Sequence, residues 1–226
     1  MTTTTRTSTR QPAAARRRAR EREILAATRE LFDQSGVRDA QIEDIARAVG
    51  VNRAIIYRHF SGKEELFALT LVSYLEDLEA RLGEAVAARE TAETRLVAAV
   101  EAFVDFGVEF PAFVDCAQTL MRRRGPELLE EISESAMFRL GRGISSCLSV
   151  LREVLVEGTA SGAFAVEDPT LLANHMYASG LGALQLARVG MLVRESAPGV
   201  PAIAPVSADD VKAYVVATAQ ALAARP

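Results

Sequence analysis

Six side chains able to engage a phosphate crowd into one short stretch: Asn52, Arg53, Tyr57, Arg58, His59 and Lys63. Guanidinium, ammonium, imidazole, phenol and amide groups can all donate hydrogen bonds to phosphate oxygens, and the cations add charge. Between them stand Ile55, Ile56 and Phe60. A short helix carrying both sets suits an element that packs through one face and touches nucleic acid through the other. Asn52, Arg53 and Arg58 can point outward, while Tyr57 and His59 present polar tips to phosphate. Lys63 stands at the start of the next helix, where exposed N–H groups also favour an anion.

Catalysis has no comparable constellation. The two histidines, His59 and His175, lie in different segments. No GxSxG, HExxH, Walker or paired-carboxylate motif occurs, so no nucleophile, base or metal set can be assembled. The Gly141-Arg142-Gly143 stretch lacks the strand, spacing and lysine of a phosphate loop. Cys116 and Cys147 sit in apolar surroundings outside any metal-ligand spacing and read as reduced, buried thiols. The chain is expected to be no enzyme, with no cofactor and no metal.

The elements that must position the polar stretch are helical. Ile24, Ala27, Leu31 and Phe32 fall on one helical face that ends at Gly36. A second short helix holds Ile42, Ile45, Ala46 and Val49. Gly50 then supplies a turn able to take φ > 0, and a third helix runs over about 52–59. Two short helices joined by a glycine turn form a helix-turn-helix pattern, whose second helix enters the major groove. Ile45, Ala46, Val49, Val51 and Ile56 are its expected packing residues. Ser61-Gly62-Lys63-Glu64 fits a capping box opening a long helix through Leu66, Phe67, Leu71, Tyr74, Leu75 and Leu78. Further helices are expected over about 92–109, from Pro111 to about Arg123, and from Gly125-Pro126 to about Gly158 with a kink at Gly141 and Gly143. Asp168-Pro169 starts another to about Val193. "ESAPGVPAIAPV" reads as an irregular connector, and Ser207 caps a last helix to about Ala224. The expected fold is all-α, about nine helices and no sheet.

Charge divides the chain. Residues 1–63 hold 13 of the 26 basic residues and 7 of the 30 acidic ones, so they carry +6 and the remainder −10. Only the first quarter has a charge suited to nucleic acid, and opposite signs suggest two jobs. We divide the chain into a disordered basic arm, 1–16, a DNA-binding domain, 17–63, and a ligand-binding and dimerisation domain, 64–226. The arginines at 6, 10, 16, 17, 18, 20 and 22 are either a solvated tail or an arm that follows the DNA. The polar N-terminus lacks an apolar signal region and no run suits a membrane span, so a cytoplasmic location without membrane contact is expected.

The stretch "IEDIARAVGVNRAIIYRHFSGKEELF", Ile42 to Phe67, resembles the DNA-binding signature of TetR/AcrR-family transcriptional regulators. The matching features are Leu31-Phe32, Ile45-Ala46, Gly50-Val51, Ile56-Tyr57, His59-Phe60, Lys63-Glu64 and Leu66-Phe67. From Ile24 the match covers about 45 residues, and the rest agrees only in architecture. The resemblance implies a homodimer that binds a palindromic double-stranded DNA operator and is released by a small-molecule effector, most members being repressors. It places Tyr57, His59 and Lys63 at phosphate contacts and Asn52, Arg53 and Arg58 on the recognition helix. Two positions depart from the pattern. Gln41 stands where a Ser or Thr usually caps the second helix, with Asp39 as an alternative cap. Ile55 replaces a usual Thr or Ser and can meet a thymine methyl or pack.

Small residues at Ala178, Ser179, Gly180, Gly182, Ala183 and Ala187 suit close helix approach. Val211, Tyr214, Val215, Thr218 and Leu222 lie on one side of the last helix. By the resemblance these two helices pair with their copies across a two-fold axis. Phe103, Phe106, Phe110, Phe113, Met137, Phe138, His175 and Tyr177, with Cys116, Met121, Cys147 and Met176 nearby, are core or the lining of a pocket for an apolar or aromatic effector. Competing readings are a ligand-independent regulator or activator with a filled core, and a helical small-molecule carrier with a vestigial head. The residues identify neither effector, operator nor target genes.

Overall fold

The computed structural model describes residues 13–37 and 41–224. These form ten helices and one two-stranded sheet. The helices of the N-terminal head are α1 (Ala13–Ser35), α2 (Ile42–Val49) and α3 (Arg53–His59). The body contains α4 (Lys63–Ala87), α5 (Ala92–Glu109), α6 (Pro111–Met121), α7 (Gly125–Glu131), α8 (Glu134–Ser161), α9 (Pro169–Val189) and α10 (Ala208–Ala223).

The head closes around Ile24, Phe32, Ile45, Ile56 and Phe60, all buried. Leu66 and Phe67 from α4 complete this core, and the Phe32 and Phe67 rings meet edge to face at 5.0 Å. The buried cluster then continues without a break through Leu71, Leu75 and Leu78 into α5, α6 and α8. Helix α4 starts at Lys63, and its first turns still serve the head. At 1.5 Å per residue, α4 is roughly 37 Å long, enough to traverse both parts. A second cluster, including Leu96, Val154, Leu155, Phe164 and Ala219, fastens α5, α8 and α10 at the far end.

Several local expectations hold. Asp168 caps α9 through a 2.9 Å bond from the Leu171 N–H, and Ser207 caps α10 by accepting from the Asp210 N–H at 3.0 Å. Gly36 and Gly50 take left-handed φ of +80° and +70°.

Others require correction. Helix begins at Ala13, inside the segment expected to be a disordered arm; residues 1–12, with Arg6 and Arg10, lie outside the described residues. Gly62, not Ser61, is the N-cap of α4, and no side chain bonds to that cap. The Ser61 hydroxyl instead donates to the Glu131 carbonyl at 3.1 Å. The helix expected from Gly125 to Gly158 breaks in two at Ile132–Ser133, where the Ser133 hydroxyl accepts from the Ala136 N–H and starts α8 afresh. Helix α8 runs as one element through Gly141 and Gly143. The expected connector is a hairpin of β1 (Met191–Ala197) and β2 (Val200–Pro205), antiparallel, with Val193 opposite Ile203. Its turn uses Gly199 at φ +76°, and Gly190 at +68° stops α9 before the first strand. The prolines obscured the alternation, but they are tolerated because both strands are edges.

Two glycines of α8 have opposite surroundings. A Cβ at Gly158 would fall within the buried Phe164 ring, whereas one at exposed Gly141 meets nothing within 4 Å. In urea unfolding, Gly158→Ala is expected to lower stability by about 1–3 kcal/mol. Gly141→Ala should raise it by about 0.5–1 kcal/mol through helix propensity.

Candidate nucleic-acid interface and apolar cavity

The turn between α2 and α3 is set by backbone bonds that only a left-handed residue completes. The Gly50 N–H donates to the Arg47 carbonyl at 3.1 Å and the Val51 N–H to Ala46 at 2.9 Å. This double closure is the Schellman arrangement, and it directs the chain straight into the next helix. Asn52 then caps α3, its Oδ1 accepting from the Ala54 N–H at 2.9 Å. A residue expected on the reading surface thus also holds the first turn of the reading helix.

Helix α3 sorts its residues by face. Ile56 and Phe60 are buried, and Ile55 is half-buried. Tyr57 is 54% exposed, unusual for so large a ring, and Arg58 is exposed beside it. Arg53 is exposed and bonded to Glu43 of α2 at 2.9 Å, so the two helices are joined by an ion pair at the surface. Gln41 is exposed at the N-cap of α2, where its backbone N–H donates to Asp44 Oδ2 at 3.3 Å. Asp39, the alternative cap, lies outside the described residues. Lys63 is half-buried, with Nζ 5.1 Å from the Phe67 ring centre.

His59 has a different environment from its neighbours. It is half-buried, and its Nδ1 is enclosed without a hydrogen-bond partner. Burial holds the imidazole below its ordinary value of 6.5; Arg17, Arg20 and Arg58 reinforce this, and Glu21 opposes it.

In the body, a cavity of about 200 Å³ lies where α4, α5, α8, α9 and α10 meet. Leu78, Leu82, Ala99, Val100, Leu148 and Leu151 supply an apolar wall, with Phe103, Met176 and Tyr177 facing them. The Cys147 thiol also lines it and donates to the Leu75 carbonyl, while burial pushes its pKa up to about 12. Ser179 and Thr218 hydroxyls at the margin bond back to His175 and Tyr214 carbonyls of their own helices. The space is therefore suited to apolar groups with few directional contacts.

Only Phe103 and Tyr177 of the eight expected pocket residues line this cavity. Phe106 and Phe113 are fully buried in an aromatic core that includes half-buried Phe110, with the Phe106 and Phe113 rings at 5.3 Å. Met137 packs partly against the core, Phe138 is 70% exposed and His175 is exposed. The expectation is corrected accordingly: aromatic spacing marked the α5–α6 packing seam, whereas the gap forms among leucines and small residues of five helices. Those leucines have ordinary core spacing, so no local signal distinguished them.

Residues 24–70 match the profile of the tetR family of bacterial regulatory proteins. The head of this chain is thus similar to that of tetR-family regulatory proteins. A stretch of 84 residues is 36% identical to the HTH-type transcriptional activator FasR of Mycolicibacterium smegmatis, covering 37% of this chain and 38% of that protein. The chain spans between 38% and 62% of the length of the first curated relatives it matches. The fold is similar over its whole length to RolR solved with resorcinol, at a TM-score of 0.68, 16% identity and coverage of 94% and 91% of the two chains. It is also similar to FadR of Bacillus subtilis solved with stearoyl-CoA, at a TM-score of 0.63, 16% identity and coverage of 89% and 98%. The two solved structures share the fold of this chain. Among the described residues no helix is long and apolar enough to cross a membrane.

Removing the α3 cap by Asn52→Ala is expected to cost about 1 kcal/mol and to speed amide exchange in α2 and α3 before the body responds. The His59 imidazole, followed by NMR, should titrate below 6.5, and Arg17→Gln should move the midpoint upward. Because the folded value is depressed, the unfolded chain takes up the proton first. His59 therefore subtracts stability as pH falls below 6.5, until the folded form is protonated as well.

Proposed function

We propose that this protein is a TetR-family DNA-binding transcriptional regulator that acts as a homodimer and responds to a small apolar or aromatic effector. The observation that carries the reading is the two-sided α3: Ile56 and Phe60 anchor it while Tyr57 and Arg58 stay open to solvent. In this reading α3 enters the major groove. Asn52, Arg53, Arg58 and Ile55 face bases, while Gln41, Tyr57, His59 and Lys63 address phosphates. Arg53 would exchange its bond with Glu43 for a DNA contact, which makes that pair a competitor for the base edge.

Dimerisation is assigned to α9 and α10. Leu186, Val189, Tyr214 and Leu222 leave 41%, 51%, 76% and 44% of their surface exposed on these helices. Covering such apolar surface is favourable at roughly 25 cal/mol per Å². A two-fold pair of heads calls for a palindromic operator. The apolar cavity favours an effector-responsive protein over a regulator with a filled core. The chemistry of resorcinol and of an acyl chain, each present in a similarly folded protein, is compatible with its wall. The reading places the protein in the cytoplasm and makes it a repressor, relieved when the effector binds.

The test is footprinting on DNA flanking the protein's own gene across a salt series, followed by genome-wide selection of bound fragments. A protected palindrome is expected, with log affinity falling by about 0.9 per neutralised phosphate for each unit of log salt. Lys63→Gln should flatten that slope by about 0.9 for each head. Failure of both footprinting and selection would sink the reading. Leu148→Trp, which fills the cavity, should leave operator binding intact and abolish release by apolar compounds. A reporter driven by the recovered operator reads repression directly, as expression that rises when the gene is deleted.

A further inference from the structure

A second concavity lies outside the apolar cavity, at the seam between head and body, and has the opposite chemistry. It is an open cleft of about 410 Å³. Three guanidinium-bearing residues line it from three helices: Arg17 of α1, Arg58 of α3 and Arg139 of α8. His59, Ser133 and Ser135 add an imidazole and two hydroxyls.

The two carboxylates in the cleft are already engaged. Glu21 takes a 2.6 Å ion pair from Arg139. Glu65 is buried and accepts from the Ser61 N–H at 2.7 Å and the Ser133 hydroxyl at 2.5 Å. Its hydrogen bonds hold its pKa below the ordinary carboxylate value although burial opposes them, so it remains an anion. Against Glu21 and Glu65 stand three cations, leaving one positive charge in excess even with His59 neutral. The enclosed His59 Nδ1 meanwhile has no hydrogen-bond partner.

We propose that this seam binds a phosphate-bearing small molecule, as a ligand site separate from the apolar cavity. A phosphate supplies what the cleft lacks: several acceptor oxygens for convergent guanidinium and hydroxyl donors, and a negative charge to balance the excess. It also rewards protonation of His59, whose second nitrogen then becomes a donor. The volume exceeds that of the phosphate itself, and Leu69 and Ala136 provide an apolar margin for the remainder of such a molecule. Because the donors come from α1, α3 and α8, one bound anion would pin the head to the body. The proposal concerns binding and stands whether or not the protein regulates transcription.

A phosphate could also come from the DNA backbone, since His59 and Arg58 belong to the proposed reading face. Arg139, Ser133 and Ser135 favour a free ligand because they belong to the start of α8 in the body and not to the reading helix α3. The experiment uses the full chain and inorganic phosphate as probe, against chloride at matched ionic strength. Calorimetry and thermal unfolding are followed for the wild type, Arg139→Gln and Ser135→Ala. Saturable binding is expected, with a melting temperature that rises with phosphate concentration. Arg139→Gln should weaken it about tenfold, as expected for loss of a charge-assisted donor, and Ser135→Ala by less. In the wild type, phosphate should also shift the His59 imidazole titration upward. Absence of saturable binding overturns the proposal, as does binding that both variants leave unchanged. If the variants weaken DNA binding in phosphate-free buffer while free phosphate never binds, the cleft belongs to the DNA backbone and the proposal fails.

Discussion

The architecture depends on one helix serving both head and body. Helix α4 starts in the head, where Phe67 meets Phe32 edge to face, and ends beyond the cavity wall formed by Leu78 and Leu82. Close packing transmits displacement because neighbouring side chains have little free volume to absorb it. A shift of α4 at the cavity is therefore felt at the first turns that carry the head. The continuous buried cluster means that the two parts share a single packed interior and not merely a covalent link.

Polar contacts fix the angle at which α1 crosses this helix. The Tyr74 hydroxyl donates to Asp33 at 2.6 Å, and Arg29 pairs with Asp77 at 2.6 Å. The Arg29 guanidinium also sits 4.2 Å from the Tyr74 ring centre, so one arginine is held by a carboxylate and an aromatic face together. Burial and the Asp33 carboxylate both raise the Tyr74 phenol, keeping it a hydrogen-bond donor. These directional bonds specify one arrangement where hydrophobic contact alone would permit sliding.

Helix α8 provides a second route between the same regions. Its N-terminal end holds the head through Ser133 to Glu65 and Arg139 to Glu21, while Cys147, Leu148 and Leu151 line the cavity two to five turns later. Ser61 reaches the same junction through the Glu131 carbonyl. The head is thus attached through α4 by apolar packing joined to the Tyr74–Asp33 and Arg29–Asp77 contacts, and through α8 by polar, charged groups.

Much of the head was legible because its determinants are local. A glycine needing positive φ after Ala48-Val49, a capping asparagine and apolar residues at helical spacing specify the turn and α3 with few distant partners. The helix caps at Asp168 and Ser207 are local for the same reason. Distant partners explain the errors. Ser61 looked like a cap until the Glu131 carbonyl came within reach, and Phe106 and Phe113 looked like a ligand surface until they packed on one another. The hairpin at Met191–Pro205 was hidden because its strand pairing is visible only once Gly199 has turned the chain. By itself the sequence determined the helical class, the glycine turn and the polar-apolar sorting of α3, all consequences of backbone freedom and short-range periodicity. Only tertiary structure decided where the cavity lies and which charges meet at the head–body seam, because both arise from side chains brought together across wide separations in the chain.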